Sequence, residues 1–98
     1  MHDNITVRYW AAARSAAGIA DEEISTNAPL SLSALCAEVS RRHPDTRLPE
    51  VLKICSFLIG DRPVGTSDPE SVMIEPGQTV EFLPPFAGGQ GPLMPAFI

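Results

Sequence analysis

The sequence predicts an α+β fold in which a mixed sheet of four to five strands packs against one main amphipathic helix. Strand-length segments lie toward both ends, one stretch between them has helical periodicity, and short connections rich in proline and glycine join them. A chain of 98 residues forms one domain with a modest core. A single sheet is then the only surface available to cover the apolar face of the helix.

The amino-terminal region predicts two strands joined by a short helix. The stretch NITVRYW (Asn4 to Trp10) alternates in side-chain character and is rich in β-branched and aromatic residues. AAARSAAG follows and ends at Gly18, which is typical of one or two helical turns closed by glycine. DEEIST (Asp21 to Thr26) is expected to be the returning strand. Its adjacent Glu22 and Glu23 would point to opposite faces, so they do not form an acid/base pair.

The main helix is predicted by apolar residues spaced three and four positions apart, namely Leu32, Leu35, Cys36 and Val39. Ser31 is the expected N-cap because its hydroxyl can accept from a free N–H of the first turn. Arg41, Arg42 and His43 are expected in the last turn, where positive charge complements the helix dipole. Pro44 disfavours helix at the residue before it. The helix should run from about Leu32 to about Arg42.

The second half of the sequence predicts the remaining strands. ICSFLIG (Ile54 to Gly60) is a nearly continuous apolar run, as expected of a central strand. Pro63 restricts GDRPVG to a turn and a brief edge segment because it cannot donate to a ladder. The Pro76-Gly77 dipeptide predicts a tight turn before a final strand, Thr79 to Leu83. If the first and last strands are central neighbours, they run parallel.

Composition and motifs exclude several classes of function. The net charge of -5 argues against nucleic acid and anionic membranes as partners. No apolar run approaches the roughly 20 residues of a membrane span, and the first residues lack the order of a secretory signal, so we expect a cytoplasmic protein. Cys36 and Cys55 have no metal-site or redox spacing and are expected in the core. Neither His2 nor His43 lies in a catalytic pattern, so we expect no metal site and no active site.

The segment after the last strand has a distinctive composition. Pro84 and Pro85 fix φ and remove two backbone donors, so the chain should leave the sheet stiffly after Leu83. Gly88 and Gly89 then lack side chains and can enter a channel too narrow for a Cβ atom. A Gly-Gly pair alone would be a common loop, but a stiff exit followed by a thin segment is typical of a tail inserted into another protein.

Three stretches, VRYWAAARSAAGIADEEI, FLIGDRPVG and IEPGQTVEFLPPFAGG, resemble the sulfur carriers of the MoaD/ThiS family, which have a ubiquitin-like β-grasp fold. Within that family the chain is most similar to the small subunit of molybdopterin synthase. The resemblance covers residues 4–89. It implies a β-grasp domain (residues 1–87) and a Gly-Gly reactive tail (88–89), and the residues that follow form a C-terminal extension (90–98).

The resemblance implies a carrier without catalytic residues or a stably bound cofactor. A ubiquitin-activating-type (E1-like) enzyme would use ATP to adenylate the Gly89 carboxylate, and sulfur would then replace the adenylate. The thiocarboxylate would be threaded into the large subunit of molybdopterin synthase. Gly89 is then the reactive residue, Gly88 fits the channel, and Phe86 and Pro85 contact the partner. Phe86 could instead fold back on the edge of its own domain.

The extension Gln90 to Ile98 departs from the family pattern because it holds the Gly89 carboxyl in a peptide bond, so the untrimmed chain should be inactive as a sulfur donor. A zinc-dependent metalloprotease could remove the extension, or the extension could end the carrier function. Alternatively, its apolar residues could cover an apolar patch or add to a partner's strand edge. Two other functions stay open, a non-catalytic β-grasp interaction module and a sulfur carrier for thiamine or cysteine synthesis.

Overall fold

The computed structural model describes residues 4–85, which form a mixed five-stranded sheet, a small two-stranded sheet and three helices. The elements are, in chain order, β1 (Asn4–Tyr9), α1 (Ala11–Ala17), β2 (Asp21–Ser25), β3 (Leu30–Ser31), α2 (Leu32–Arg42), α3 (Leu48–Leu52), β4 (Ser56–Ile59), β5 (Arg62–Pro63), β6 (Met73–Ile74) and β7 (Thr79–Leu83). The predicted α+β fold with one main helix is confirmed. Among these helices, none is long and apolar enough to cross a membrane.

The first and last strands form the centre of the large sheet, whose order is β2-β1-β7-β4-β5. β1 pairs with β7 in parallel, with Val7 opposite Val80 and Tyr9 opposite Phe82, and all four side chains are buried. β2 and β4 flank this pair in antiparallel orientation. The predicted hairpin, the parallel central pair and the edge position of Pro63 are therefore confirmed.

Helix α2 lies where its periodicity predicts, from Leu32 to Arg42. Its residues Leu32, Leu35 and Val39 are fully buried in the same cluster as the inward side chains of β1 and β7, while Cys36 is only half-buried at the margin of that cluster. Likewise, α1 ends at Gly18, whose φ of 79° is the left-handed conformation that favours glycine.

Three features differ from the sequence prediction. The two-residue ladder between β3 and β6 and the five-residue helix α3 were not predicted, because elements this short carry no periodic signal. The strand predicted from Ile54 begins only at Ser56. The N–H of Ile54 donates to Val51 O (3.1 Å), and the N–H of Cys55 donates to Leu52 O (3.3 Å), so both residues prolong the turn after α3.

The amino-terminal end of α2 has its free N–H groups satisfied by three different acceptors. Ser31 Oγ accepts from the N–H of Ala34 (3.0 Å), while the N–H groups of Leu32 and Ser33 donate to carbonyls of the segment before β6. This arrangement confirms the predicted N-cap.

Replacing Ser31 with alanine should therefore lower the free energy of unfolding by about 0.5–2 kcal/mol, because one N–H loses its acceptor. Urea denaturation would measure the loss. Ser33→Ala is the matched control, since the backbone N–H of Ser33 bonds to Pro69 O whatever the side chain. Equal losses in the two variants would show that the cap hydroxyl contributes nothing specific.

Candidate functional site

The chain reaches the protein surface directly after the central strand. β7 ends at Leu83, Pro84 is buried, and Pro85 is exposed. The predicted site residues Phe86, Gly88 and Gly89 lie outside the described residues, so their roles stay predictions. Pro85 is the predicted site residue that the structure places, and it lies at one end of the sheet's centre.

A concave, largely apolar groove with a volume of about 550 Å³ lies at this point. We call it the exit groove. It is lined by Trp10, Ala11, Ile54, Ser56, Leu83, Pro84 and Pro85. Trp10 and Ile54 are 43% and 61% exposed, which leaves two large apolar side chains open to solvent beside the departing chain. Contiguous exposed apolar surface of this kind is typical of a site that another chain covers.

The topology of the sheet brings Trp10 to the groove. Because β1 and β7 are parallel, their carboxyl ends meet at one edge, and the N–H of Trp10 donates to Phe82 O (3.2 Å). The indole N–H of Trp10 also donates to Glu81 Oε1 (2.9 Å), which orients the ring across β7. Ala11 follows with φ of 49°, a left-handed value uncommon for a residue with a Cβ atom, and turns the chain into α1.

Ile54 reaches the same groove from the other side of β7. Ile54 was predicted to begin a central strand, whereas it lies in the turn after α3 and its side chain is exposed. The groove residues come from three distant parts of the sequence, and no single motif predicts their meeting. The available signal was the placement of Trp10 and Leu83 at the ends of two strands expected to be parallel neighbours.

Away from the exit groove, a cluster of polar side chains joins β1, β2 and the end of α2. Glu22 Oε1 accepts from the Tyr9 hydroxyl (2.6 Å) and lies 2.6 Å from His43 Nε2. Arg42 Nη1 donates to Glu22 Oε2 (3.3 Å). The side chains of Glu22 and His43 are only 13% and 15% exposed, so this cluster is largely shielded from water.

The electrostatics of this cluster favour an ionised Glu22. Burial opposes ionisation, but hydrogen bonds from Tyr9 and His43 outweigh it and hold the pKa of the Glu22 carboxyl below its ordinary value. Burial, followed by the hydrogen bond to Glu22, raises the pKa of Tyr9. Sequence reasoning missed this cluster because 21 positions separate Glu22 from His43. Its members do not line the exit groove, and its evident role is to hold α2 against the first hairpin.

The two cysteines line a second groove of about 520 Å³ between α2 and β4. Both are free thiols at the edge of the core, consistent with the predicted packing role. Burial raises the pKa of Cys36 and of Cys55 to about 11, so both stay protonated at neutral pH and are poor nucleophiles. Within residues 4–85, no three His, Cys, Asp or Glu side chains are grouped as a metal site requires.

Comparison with known protein families gives a match over residues 7–89 to the model of the ThiS family. The chain belongs to the ThiS family. The match covers every described strand except the first residues of β1, and it stops at the second glycine of the tail. No protein with a curated description matches this ThiS-family chain significantly in sequence.

Several solved structures share the fold. Molybdopterin converting factor subunit 1 of Pyrococcus furiosus is 22% identical, with a TM-score of 0.65 over 85% of this chain and 98% of that chain. Small archaeal modifier protein 1 of Methanosarcina acetivorans is 16% identical, with a TM-score of 0.71 over 91% and 99%. A complex of subunits 1 and 2 of the molybdopterin-converting factor of Helicobacter pylori gives 22% identity and a TM-score of 0.60 over 88% and 99%. At these identities the likeness establishes the ubiquitin-like β-grasp fold.

Proposed function

We propose that this ThiS-family protein is a sulfur carrier whose working end is the carboxyl group of Gly89. The observation that carries the proposal is the coincidence of two boundaries. The family match ends at residue 89, and the same residue closes the Gly-Gly pair that follows the proline exit from the central strand. The carrier needs no catalytic side chain, which fits partly buried, protonated thiols and a polar cluster that is largely shielded from water.

The chemistry requires a free carboxylate at Gly89, so the bond between Gly89 and Gln90 must first be hydrolysed. A metalloprotease acting on the extension would supply this step. The carboxylate then attacks the α-phosphorus of ATP in an E1-like enzyme, which releases pyrophosphate and forms an acyl adenylate. A hydrosulfide equivalent adds to the acyl carbon, AMP leaves, and a thiocarboxylate remains. Activation is needed because an unmodified carboxylate is a poor electrophile.

Molybdopterin synthesis is the pathway that we propose for the carried sulfur. Two of the similar structures bear the name of subunit 1 of a molybdopterin-converting factor, and one of them is a complex with subunit 2. By analogy, the partner of this chain would be a molybdopterin synthase large subunit. The thiocarboxylate would enter that subunit with Gly88 and Gly89 in the narrow part of the channel, where the absence of Cβ atoms permits close approach.

The exit groove is the docking surface that we propose for this partner. It exposes Trp10 and Ile54 beside the base of the tail, and Pro85 forms part of its wall. Phe86 follows Pro85 directly and would extend the same apolar contact. A partner that covers this groove while it receives the tail gains buried apolar area and holds the reactive end in a fixed direction.

The first test is ATP–pyrophosphate exchange with the activating enzyme of the same organism. A chain ending at Gly89 is expected to support exchange, whereas the full chain should remain at background because its Gly89 carboxyl is in a peptide bond. A chain ending at Gly88 is the matched control for the position of the terminal carboxylate. All elements up to β7 end by Leu83, so these three chains share the same fold.

Absence of exchange for a folded chain ending at Gly89, with every cognate activating enzyme, would overturn the carrier proposal. The protein would then be better described as a β-grasp interaction module that uses the exit groove alone. If exchange occurs but the thiocarboxylate does not support molybdopterin formation with a large subunit, the thiamine or cysteine pathways become the candidates for the acceptor.

A further inference from the structure

The extension beyond Gly89 and the exit groove have matching chemistry. No charged side chain occurs between Phe86 and Ile98, in a protein of which 19% of residues are charged. The end of the extension is apolar, with the sequence LMPAFI (residues 93–98). The lining of the exit groove likewise contains no charged residue, and its two most exposed apolar side chains are Trp10 and Ile54.

We propose that residues 93–98 of the untrimmed chain bind in the exit groove and cover Trp10 and Ile54. Pro85 is both the last described residue and part of the groove wall, so the segment begins at the surface that it would cover. The seven residues between Pro85 and Leu93 reach up to about 25 Å when extended, which is ample for a return to this wall. Gly88, Gly89 and Gly91 permit the necessary reversal of the chain.

The contact is made by side chains rather than by an added strand. β7, from which the segment leaves, is already paired with β1 on one side and β4 on the other, so the segment cannot add a strand beside β7. Pro92 and Pro95 also lack the N–H groups that a continuous ladder would require. Apolar burial of Leu93, Met94, Phe97 and Ile98 is therefore the driving force.

Covalent attachment favours this occupant over a separate molecule. A short flexible connection gives the attached segment an effective concentration in the millimolar range, so even weak apolar contacts keep the groove covered. The consequence rests on the proposed function: hydrolysis after Gly89 would free the carboxylate and uncover the docking surface together. The untrimmed carrier would then be unable both to be adenylated and to bind its partner.

Trp10 provides a direct test because it is the single tryptophan of the protein and lies in the groove. In the full chain, its fluorescence emission is expected at shorter wavelength, with weaker quenching by acrylamide, than in the full-length double variant Leu93→Ser, Phe97→Ser. The chain ending at Gly89 should behave like the double variant. Gln90→Ala is the matched control within the extension and should behave like the full chain.

A variant in the groove wall separates tail binding from other effects on the indole. Ile54→Ser should increase acrylamide quenching in the full chain and change it little in the chain ending at Gly89. Equal emission and quenching for the full chain, the double variant and the chain ending at Gly89 would overturn the inference.

These fluorescence measurements need no activating enzyme, so they test tail binding separately from the carrier function. Protection of Trp10 without pyrophosphate exchange at Gly89 would reject the carrier proposal alone. Pyrophosphate exchange without protection of Trp10 would reject tail binding alone.

Discussion

Replacing Phe82 with alanine is expected to lower the free energy of unfolding by about 3–5 kcal/mol, the typical loss for a large aromatic side chain in a close-packed core. Phe82 is fully buried on β7 in the centre of the sheet. Its ring makes edge-to-face contacts with Tyr9 (centroids 5.6 Å apart) and Phe57 (5.1 Å). The truncation removes both contacts and leaves a cavity between three strands.

Urea denaturation followed by circular dichroism would measure this loss. Leu83→Ala is the matched control because Leu83 is the next residue of the same strand, lies on the opposite face and is only half-buried. We expect its cost to be below that of a buried leucine, which is about 2–5 kcal/mol. If Phe82→Ala costs no more than Leu83→Ala, the inward face of β7 does not form the centre of the core.

Replacing Glu22 with glutamine is expected to cost about 1–3 kcal/mol at neutral pH. Glutamine keeps the shape of the side chain but removes the negative charge that the Tyr9 hydroxyl, His43 and Arg42 share. Because Glu22 is 13% exposed, water replaces these contacts only in part. Glu23→Gln is the control, since Glu23 is the adjacent exposed residue and most surface substitutions change stability by no more than about 0.5 kcal/mol.

The pH dependence of the Glu22 variant gives a second readout. In the folded protein the pKa of Glu22 lies below its ordinary value of 4.5, so folding favours the carboxylate form. Its contribution is fully present above that ordinary value and is lost as pH falls through the lower folded pKa. The stability difference between the parent and Glu22→Gln should therefore shrink as pH falls below 4.5. A difference that grows as pH falls below 4.5 would contradict the assignment of Glu22 as an ionised acceptor.

The sequence predicts those elements of the fold that have a periodic pattern of apolar residues or a residue typical of an element's end. Helix α2 has an apolar stripe and a capping serine, and its bounds follow from them. Gly18 closes α1 and Gly77, with φ of 96°, precedes β7, because both positions need a left-handed backbone. The parallel pairing of β1 with β7 follows from the element order once both strands are placed at the centre of one sheet.

The remaining features depend on packing between distant segments, and local patterns do not contain them. Ile54 belongs to an apolar run in the sequence, yet the turn after α3 exposes it and makes it part of the exit groove. Likewise, Glu22 and His43 meet only because α2 crosses the first hairpin. The tail residues Phe86, Gly88 and Gly89 lie outside the described residues, so the roles assigned to them from proline stiffness and the small size of glycine stay predictions.

The parallel pairing of the first and last strands also determines when the protein can fold. Trp10 and Glu81 are hydrogen-bonded although 71 positions separate them, so the central pair cannot form on the ribosome until nearly the whole domain has been synthesised. Contacts this distant in sequence slow folding because the intervening chain must be ordered first. A translation product that ends before Thr79 therefore lacks β7, and β1 and β4 are then without their common neighbour in the sheet.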